Sequence, residues 1–283
     1  MISYCIKTDN IEIIQYLLNK ISNLNFPDII YCNKTFKKYE NVIMHCRNTN
    51  YEKFKNIISS LVSDIIIKFY QEKLVRRMIS VNYFYFEDYE KKLIYENCKE
   101  FLLQSKEEVY ETLFKEIEKY VNDKRNIYIQ GIVNFRISEY IKALDNIVDI
   151  GVNKYIIEKE YKEFINLLKI YVNSAECKTD ILHLIYSNGE SILLDKEKNI
   201  ISLENNNINN LKYLSDITFS SNDIALNTLL SMLPKKIEIH IIDKEDEFIN
   251  TLKLIFESRI NICTECNICK TYRNLKIPTM KLK

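Results

Sequence analysis

Three cysteines close together near the end of the chain, Cys263, Cys266 and Cys269, are the residues whose type and spacing point to chemistry. Thiolates at Cys-x-x-Cys spacing suit Zn²⁺ or iron, and three of them leave a tetrahedral ion one ligand short. On an ideal α-helix Cys263 and Cys269 would stand about 9 Å apart along the axis, too far to share one ion. For the three to act together, residues 264–268 must form a loop that turns back on itself. The fourth ligand then comes from a remote residue or from outside the chain. His240 is the first candidate, because it lies near the end of an apolar run, residues 237–242, that reads as a strand beside a second strand at residues 260–263. Parallel neighbours bring their C-terminal ends together. His183, Cys177 and an exogenous ligand compete with His240.

Zinc is the first expectation for such a site and an iron–sulfur cluster the second. Ferredoxin-like runs also contain Cys-x-x-Cys-x-x-Cys, but they continue to a fourth Cys followed by Pro, where this chain has Arg273 and Asn274. A redox thiol pair is a further reading, with thiolates favoured by Lys270, Arg273 and Lys276. Inert reduced thiols complete the set.

Other chemistries find little support. Gly131, Gly151 and Gly189 are isolated, so there is no glycine-rich loop to cradle a phosphate. His45, His183 and His240 lie far apart, and neither His-Glu-x-x-His nor Gly-x-Ser-x-Gly occurs. No catalytic residue is assigned, and a non-enzymatic role is expected.

The elements that must position the cluster follow from periodicity. Residues 237–242, 246–258 and 260–263 read as strand, helix and strand, a unit that places its strands parallel with a right-handed crossover. Ahead of it, residues 180–187 and 190–194 flank Asn188-Gly189, whose tolerance of positive φ predicts a type I′ hairpin. Residues 204–210, rich in Asn, read as a loop, and Ser220 to Asp223 offer caps for a helix that runs to about Leu233 and stops at Pro234.

Earlier in the chain, residues 2–6 read as a strand, 10–24 as a helix and 28–32 as a strand, with 42–46 able to pair with it. From residue 51 to about 172 helical spacing dominates. Phe54, Ile57, Ile58, Leu61, Ile65 and Phe69 step by three and four, as do Val109, Leu113, Ile117 and Tyr120. Residues 126–150 read as one helix ended by Gly151. The next, residues 153–173, places Ile157, Tyr161, Phe164, Ile165, Leu168, Tyr171 and Val172 on an apolar stripe assigned to core.

The predicted architecture is α+β and mostly helical: an N-terminal α/β segment (1–48), a helical region (49–176), a C-terminal α/β subdomain with the hairpin, the strand-helix-strand unit and the cysteines (177–270), and a basic tail (271–283). With 283 residues, 47% of them hydrophobic, the chain can bury a substantial core. Its 40 Lys and Arg against 39 Asp and Glu leave a net charge of +1, so any nucleic-acid binding has to be local. The tail, with Lys270, Arg273, Lys276, Lys281, Lys283 and Tyr272, is the place the sequence offers for it. No signal peptide or membrane span is expected, and eight dispersed or clustered cysteines in so long a chain fit reduced thiols in a cytoplasm.

Several stretches together resemble the YtxC family of sporulation proteins from endospore-forming bacteria. They are Gly131-Ile-Val-Asn-Phe135-Arg136 followed by Tyr140, then Glu158-Lys-Glu-Tyr161 with Phe164-Ile165, His183 in an apolar strand, Leu229, Pro234-Lys-Lys-Ile237, Ile239-His240, Phe256 and the cysteines. The resemblance covers roughly residues 126–269. It implies a role during sporulation, and no activity, substrate or cofactor; an unidentified protein partner is a separate expectation. The sequence therefore reads as a cytoplasmic sporulation protein with a structural metal at its C-terminal cysteines; a thiol redox or iron–sulfur protein, and a nucleic-acid binder using the basic tail, are the alternatives.

Overall fold

A computed structural model describes residues 2–24, 28–47, 51–201 and 220–274. The fold is α+β and mostly helical, and it divides into two compact units, Met1–Glu158 and Lys159–Lys283. The Asn-rich stretch 204–210 and the tail residues Lys276, Lys281 and Lys283 lie outside the described residues. Among the described residues no helix is long and apolar enough to cross a membrane.

The first unit opens with strand β1 (Ile2–Thr8), helix α1 (Ile11–Ser22), β2 (Ile29–Phe36) and β3 (Tyr39–Cys46). Asn10 caps α1 by accepting from the Glu12 backbone N–H at 2.8 Å, and its period buries Ile13, Ile14, Leu17 and Ile21. β2 pairs antiparallel with β3, and β3 antiparallel with β1. On β1 and β3 alternate residues Tyr4, Ile6, Val42 and Met44 are buried. Helices α2 (Tyr51–Ile66), α3 (Glu72–Asn82), α4 (Asp88–Gln104) and α5 (Lys106–Asp123) follow, α2 running into α3 through a π-helical turn at Ile67–Gln71.

Residues 126–150 are not one helix. Asn126–Tyr128 form strand β4, which pairs parallel with β1 and completes a sheet of order β2-β3-β1-β4. Helix α6 (Ile129–Phe135) ends at Arg136, and α7 (Ser138–Ser174) begins afresh. The Glu116 carboxylate of α5 starts it by accepting from the Glu139 and Tyr140 backbone N–H groups at 3.1 and 3.0 Å. Nor does Gly151 end a helix: α7 runs through it. A Cβ there would sit 2.5 Å from Cys98 Sγ and 3.2 Å from the Cys98 backbone nitrogen, so glycine lets α4 approach α7 closely. The cost of glycine to helix propensity is offset by that packing.

The division between units falls within α7. In its second part the expected stripe has the right period and the wrong phase: Ile165 and Val172 are buried, whereas Ile157 and Phe164 are 67% and 53% exposed. Spacing determines that an apolar face exists, and packing selects which edge of it is covered.

The second unit contains β5 (Thr179–Ser187), β6 (Glu190–Leu194), α8 (Ser221–Met232), β7 (Pro234–Ile241), α9 (Glu247–Phe256), β8 (Ile260–Cys263) and α10 (Asn267–Asn274). Asn188 and Gly189, at φ 52° and 81°, form the expected hairpin turn between β5 and β6. The sheet order is β6-β5-β7-β8, with β5, β7 and β8 parallel. Leu182, Leu184 and Tyr186 of β5 and Ile237, Ile239 and Ile241 of β7 pack with Val172 of α7, Leu229 of α8 and Leu252 of α9. That leaves His183, Ile185, Glu238 and His240 on the other face.

The contact at Gly151 yields a test. Replacing glycine by alanine inside a helix normally stabilises by about 1 kcal/mol. Gly151→Ala is expected to destabilise instead, by roughly 1–2 kcal/mol, because the added methyl overpacks against Cys98. Urea unfolding of the variant and parent measures the sign directly.

Candidate metal centre

The cluster is assembled by two parallel strands and the turn that leaves them. His240 is opposite Cys263 in the register of β7 and β8, so the two side chains leave the same face of the sheet. After Cys263 the chain bends through residues 264–266, and Asn267 begins α10, with Cys269 in its first turn. The expected loop is thus shorter than residues 264–268. The Cys266 carbonyl accepts the Lys270 N–H at 3.0 Å, which makes Cys266 the residue that starts this helix. Arg273 donates through Nε to the Ile242 carbonyl at 3.2 Å, and Ile268 and Tyr272 pack by Ile185, Leu194 and Ile242. These contacts hold α10 over the sheet face that carries His240.

The four donor atoms meet. Cys266 Sγ and Cys269 Sγ lie 3.3 and 3.5 Å from His240 Nδ1, the two sulfurs are 3.6 Å apart, and Cys269 Sγ is 4.0 Å from Cys263 Sγ. All four lie within 4.8 Å of one another and could hold a metal ion. Bonds of about 2.3 Å to sulfur and about 2.0 Å to nitrogen around a tetrahedral ion require separations of about 3.8 Å between sulfurs and about 3.6 Å between sulfur and nitrogen. His240 and Cys269 are fully buried, whereas Cys263 and Cys266 are half-buried.

The local electrostatics set the thiols apart. Burial, then hydrogen bonding to the Cys266 and Cys263 thiols, pushes the Cys269 thiol up to about 12. Burial works the same way on Cys266, but the Cys269 and Ile268 backbone N–H groups and the neighbouring thiols outweigh it and hold Cys266 below the usual range. The amides opening α10 favour this thiolate, in place of the basic side chains expected to do so. Burial, together with the nearby His183, lowers His240, which keeps its imidazole neutral and able to ligate.

His183 does not reach the sulfurs as a rival ligand. It stands behind His240, with Nδ1 3.1 Å from His240 Nε2, and its Nδ1 is 3.5 Å from a Glu238 carboxylate oxygen. A metal on Nδ1 of His240 leaves the ring proton on Nε2, where His183 can accept it. Glu238 is hydrogen-bonded at 2.8 Å by Lys236, which holds its carboxyl below the usual range against the opposing effect of burial. Sequence reasoning missed this chain, although Lys236, Glu238 and His240 alternate along β7 and so share a face. Cys177 lies at the other end of the sheet, where its sulfur accepts from Arg259, which also donates to the Pro234 carbonyl. His45 belongs to the first unit and bonds Ser3.

Fold and site together define a mostly helical α+β protein with a Cys₃His cluster able to take a metal. A family model described as the YtxC-like family matches residues 56–261, and the chain belongs to that family. The match reaches further back than the resemblance read from the sequence and stops just before Cys263. The chain is 20% identical over 152 residues to "Uncharacterized protein YtxC" of Bacillus subtilis (strain 168), covering 54% of this chain and 53% of that protein. It therefore spans about half the length of the curated relative it matches. No solved structure matches.

The arrangement behind His240 predicts a separable effect. If the cluster holds a metal, replacing His183 by Leu is expected to weaken its binding roughly 10–100-fold, as loss of an outer-shell partner does. Cys177→Ser should leave the affinity unchanged. Competition against a chromophoric chelator measures both.

Proposed function

We propose that the protein is a non-enzymatic component of the sporulation programme, working in the cytoplasm through protein contacts, with Zn²⁺ held by Cys263, Cys266, Cys269 and His240 as a structural tie. The observation that carries the metal reading is the separation of the donors. Sulfurs at 3.6 and 4.0 Å and sulfur–nitrogen distances of 3.3 and 3.5 Å suit one tetrahedral ion. Four protein ligands would leave no open position for a substrate or an activated water, which favours a structural over a catalytic ion. The ion would fasten α10 to the ends of β7 and β8, whose apolar cover on this face is small: Ile185, Leu194 and Ile242. The sporulation context rests on the family resemblance, and family membership supports it.

A thiol redox role is the second reading. Cys266 and Cys269 are 3.6 Å apart at Cys-x-x-Cys spacing, and one thiol is held below its usual range while the other is raised.

Elemental analysis and an absorption spectrum of protein purified without oxygen separate the readings. The structural reading expects about one zinc per chain and no visible absorption. Cys263→Ser with Cys266→Ser should remove the metal and lower the unfolding midpoint, as should a chelator; at free zinc near 1,000 times Kd the linked stabilisation is about 4 kcal/mol. Metal-free protein whose double variant melts like the parent overturns the zinc reading, and visible charge-transfer bands would establish iron–sulfur in its place. Undiminished spore formation after deletion of the gene would count against the sporulation role.

A further inference from the structure

Along β1, β3 and β4 the sheet of the first unit has one packed face and one open face, while β2 is exposed on both sides. The pairing register carries the open-face assignment across to β2. Three aromatic side chains share this face: Phe36, Tyr39 and Tyr128, from β2, β3 and β4. Phe36 is 64% exposed, and the Tyr39 and Tyr128 rings meet edge to face with centroids 5.6 Å apart. Lys7 Nζ lies 4.1 Å from the Tyr39 ring centroid, and Lys34 stands on the same face opposite Asn41. The turn between β2 and β3 adds Lys37 and Lys38 beside the Phe36 and Tyr39 rings.

The charge on this face is one-sided. Glu40 is the single carboxylate in the four strands, and its side chain accepts the Thr35 hydroxyl at 2.6 Å, both residues belonging to the opposite alternation. Asp9, beyond the end of β1, is held by the Gln130 side-chain amide and stays close enough to act on the Tyr128 hydroxyl. The face therefore offers planar rings, lysines and the Asn126 amide around a cleft of about 470 Å³ with no acid in its lining, while the Asn41 amide is engaged by the Lys34 and Tyr39 carbonyls.

We propose that this open face binds single-stranded nucleic acid. Rings supply platforms for unstacked bases, lysines meet the phosphates between them, and the Asn126 amide can bond a base edge. Neighbouring strands are about 4.8 Å apart, so four of them span enough width for two or three bases. A duplex keeps its bases stacked inside and offers no ring face to such a surface. A net charge of +1 for the whole chain fits a local patch of this kind. The site lies in the unit without the Cys₃His cluster and on strands that, β4 apart, precede the family match, so it stands or falls independently of the metal reading.

The test is fluorescence anisotropy of the full chain with labelled 12-mers of U, of dT and of a matched duplex. Binding of the single strands, preferred over the duplex and weakening steadily with salt, is expected. Phe36→Ala should weaken it on the order of 5–100-fold, and Tyr128→Leu similarly. Lys34→Glu should weaken it and flatten the salt dependence. Phe36 and Lys34 are exposed, so their variants keep the fold, which circular dichroism verifies. RNA preferred over DNA, or the reverse, identifies the polymer. No binding, equal binding of the duplex, or affinity unmoved by Phe36→Ala and Lys34→Glu overturns the proposal.

Discussion

The parallel register between β7 and β8 is the constraint on which the cluster depends, because it places His240 opposite Cys263. A shift by one residue would turn one of the two side chains to the helix-covered face, where Ile239 and Ile241 pack. The register is itself held from several sides. Arg259, just before β8, donates to the carbonyls of Val172 and Pro234 and so joins the end of α7 to the start of β7. At the other end, Arg273 donates to the Ile242 carbonyl. Apolar packing on one face and arginine contacts at both ends thus determine where two donors of a polar cluster stand.

The two faces of that sheet divide structural labour. Leucine and isoleucine on alternate residues of β5 and β7 meet α7, α8 and α9 and supply the hydrophobic stabilisation of the unit. The residues between them form a polar row, from Lys236 through Glu238 and His183 to His240 and the thiols. Its buried members, His183, His240 and Cys269, would be costly without partners, and here each has one. A metal would complete the row at its end, converting crowded thiols into ligands and easing the conflict that raises Cys269.

In the first unit a comparable economy governs helix contacts. α7 begins where Glu116 of α5 accepts two of its first backbone N–H groups, and it passes Cys98 of α4 where Gly151 has no side chain. A carboxylate and a missing methyl group thus determine where the long helix starts and how closely it packs. The same unit leaves one face of its four-stranded sheet free of acids and lined with rings and lysines. In each unit a sheet face packed by apolar residues, along β1, β3 and β4 in the first, is backed by a chemically distinct one.

Local sequence was sufficient for features that depend on local geometry. The Asn188-Gly189 hairpin follows from residues that tolerate positive φ, the cap at Ser220 from a side chain that reaches its own helix amides, and the grouping of the three cysteines from their spacing, while His240 was one of several candidates for the fourth position. Tertiary contacts decided the rest. Gly151 reads as a breaker until Cys98 is seen beside it, residues 126–128 read as helix until β1 pairs with them, and Phe164 reads as core until Ile165 is found to hold the packed face. α10, which carries Cys269, has only a short pattern of its own and is held by contacts to β7 and β5. His183 behind His240 was equally invisible, since two residues 57 apart meet only through the pairing of β5 with β7. Periodicity and turn chemistry are properties of neighbouring residues, whereas register, phase and the choice among competing ligands depend on energies shared between distant parts of the chain.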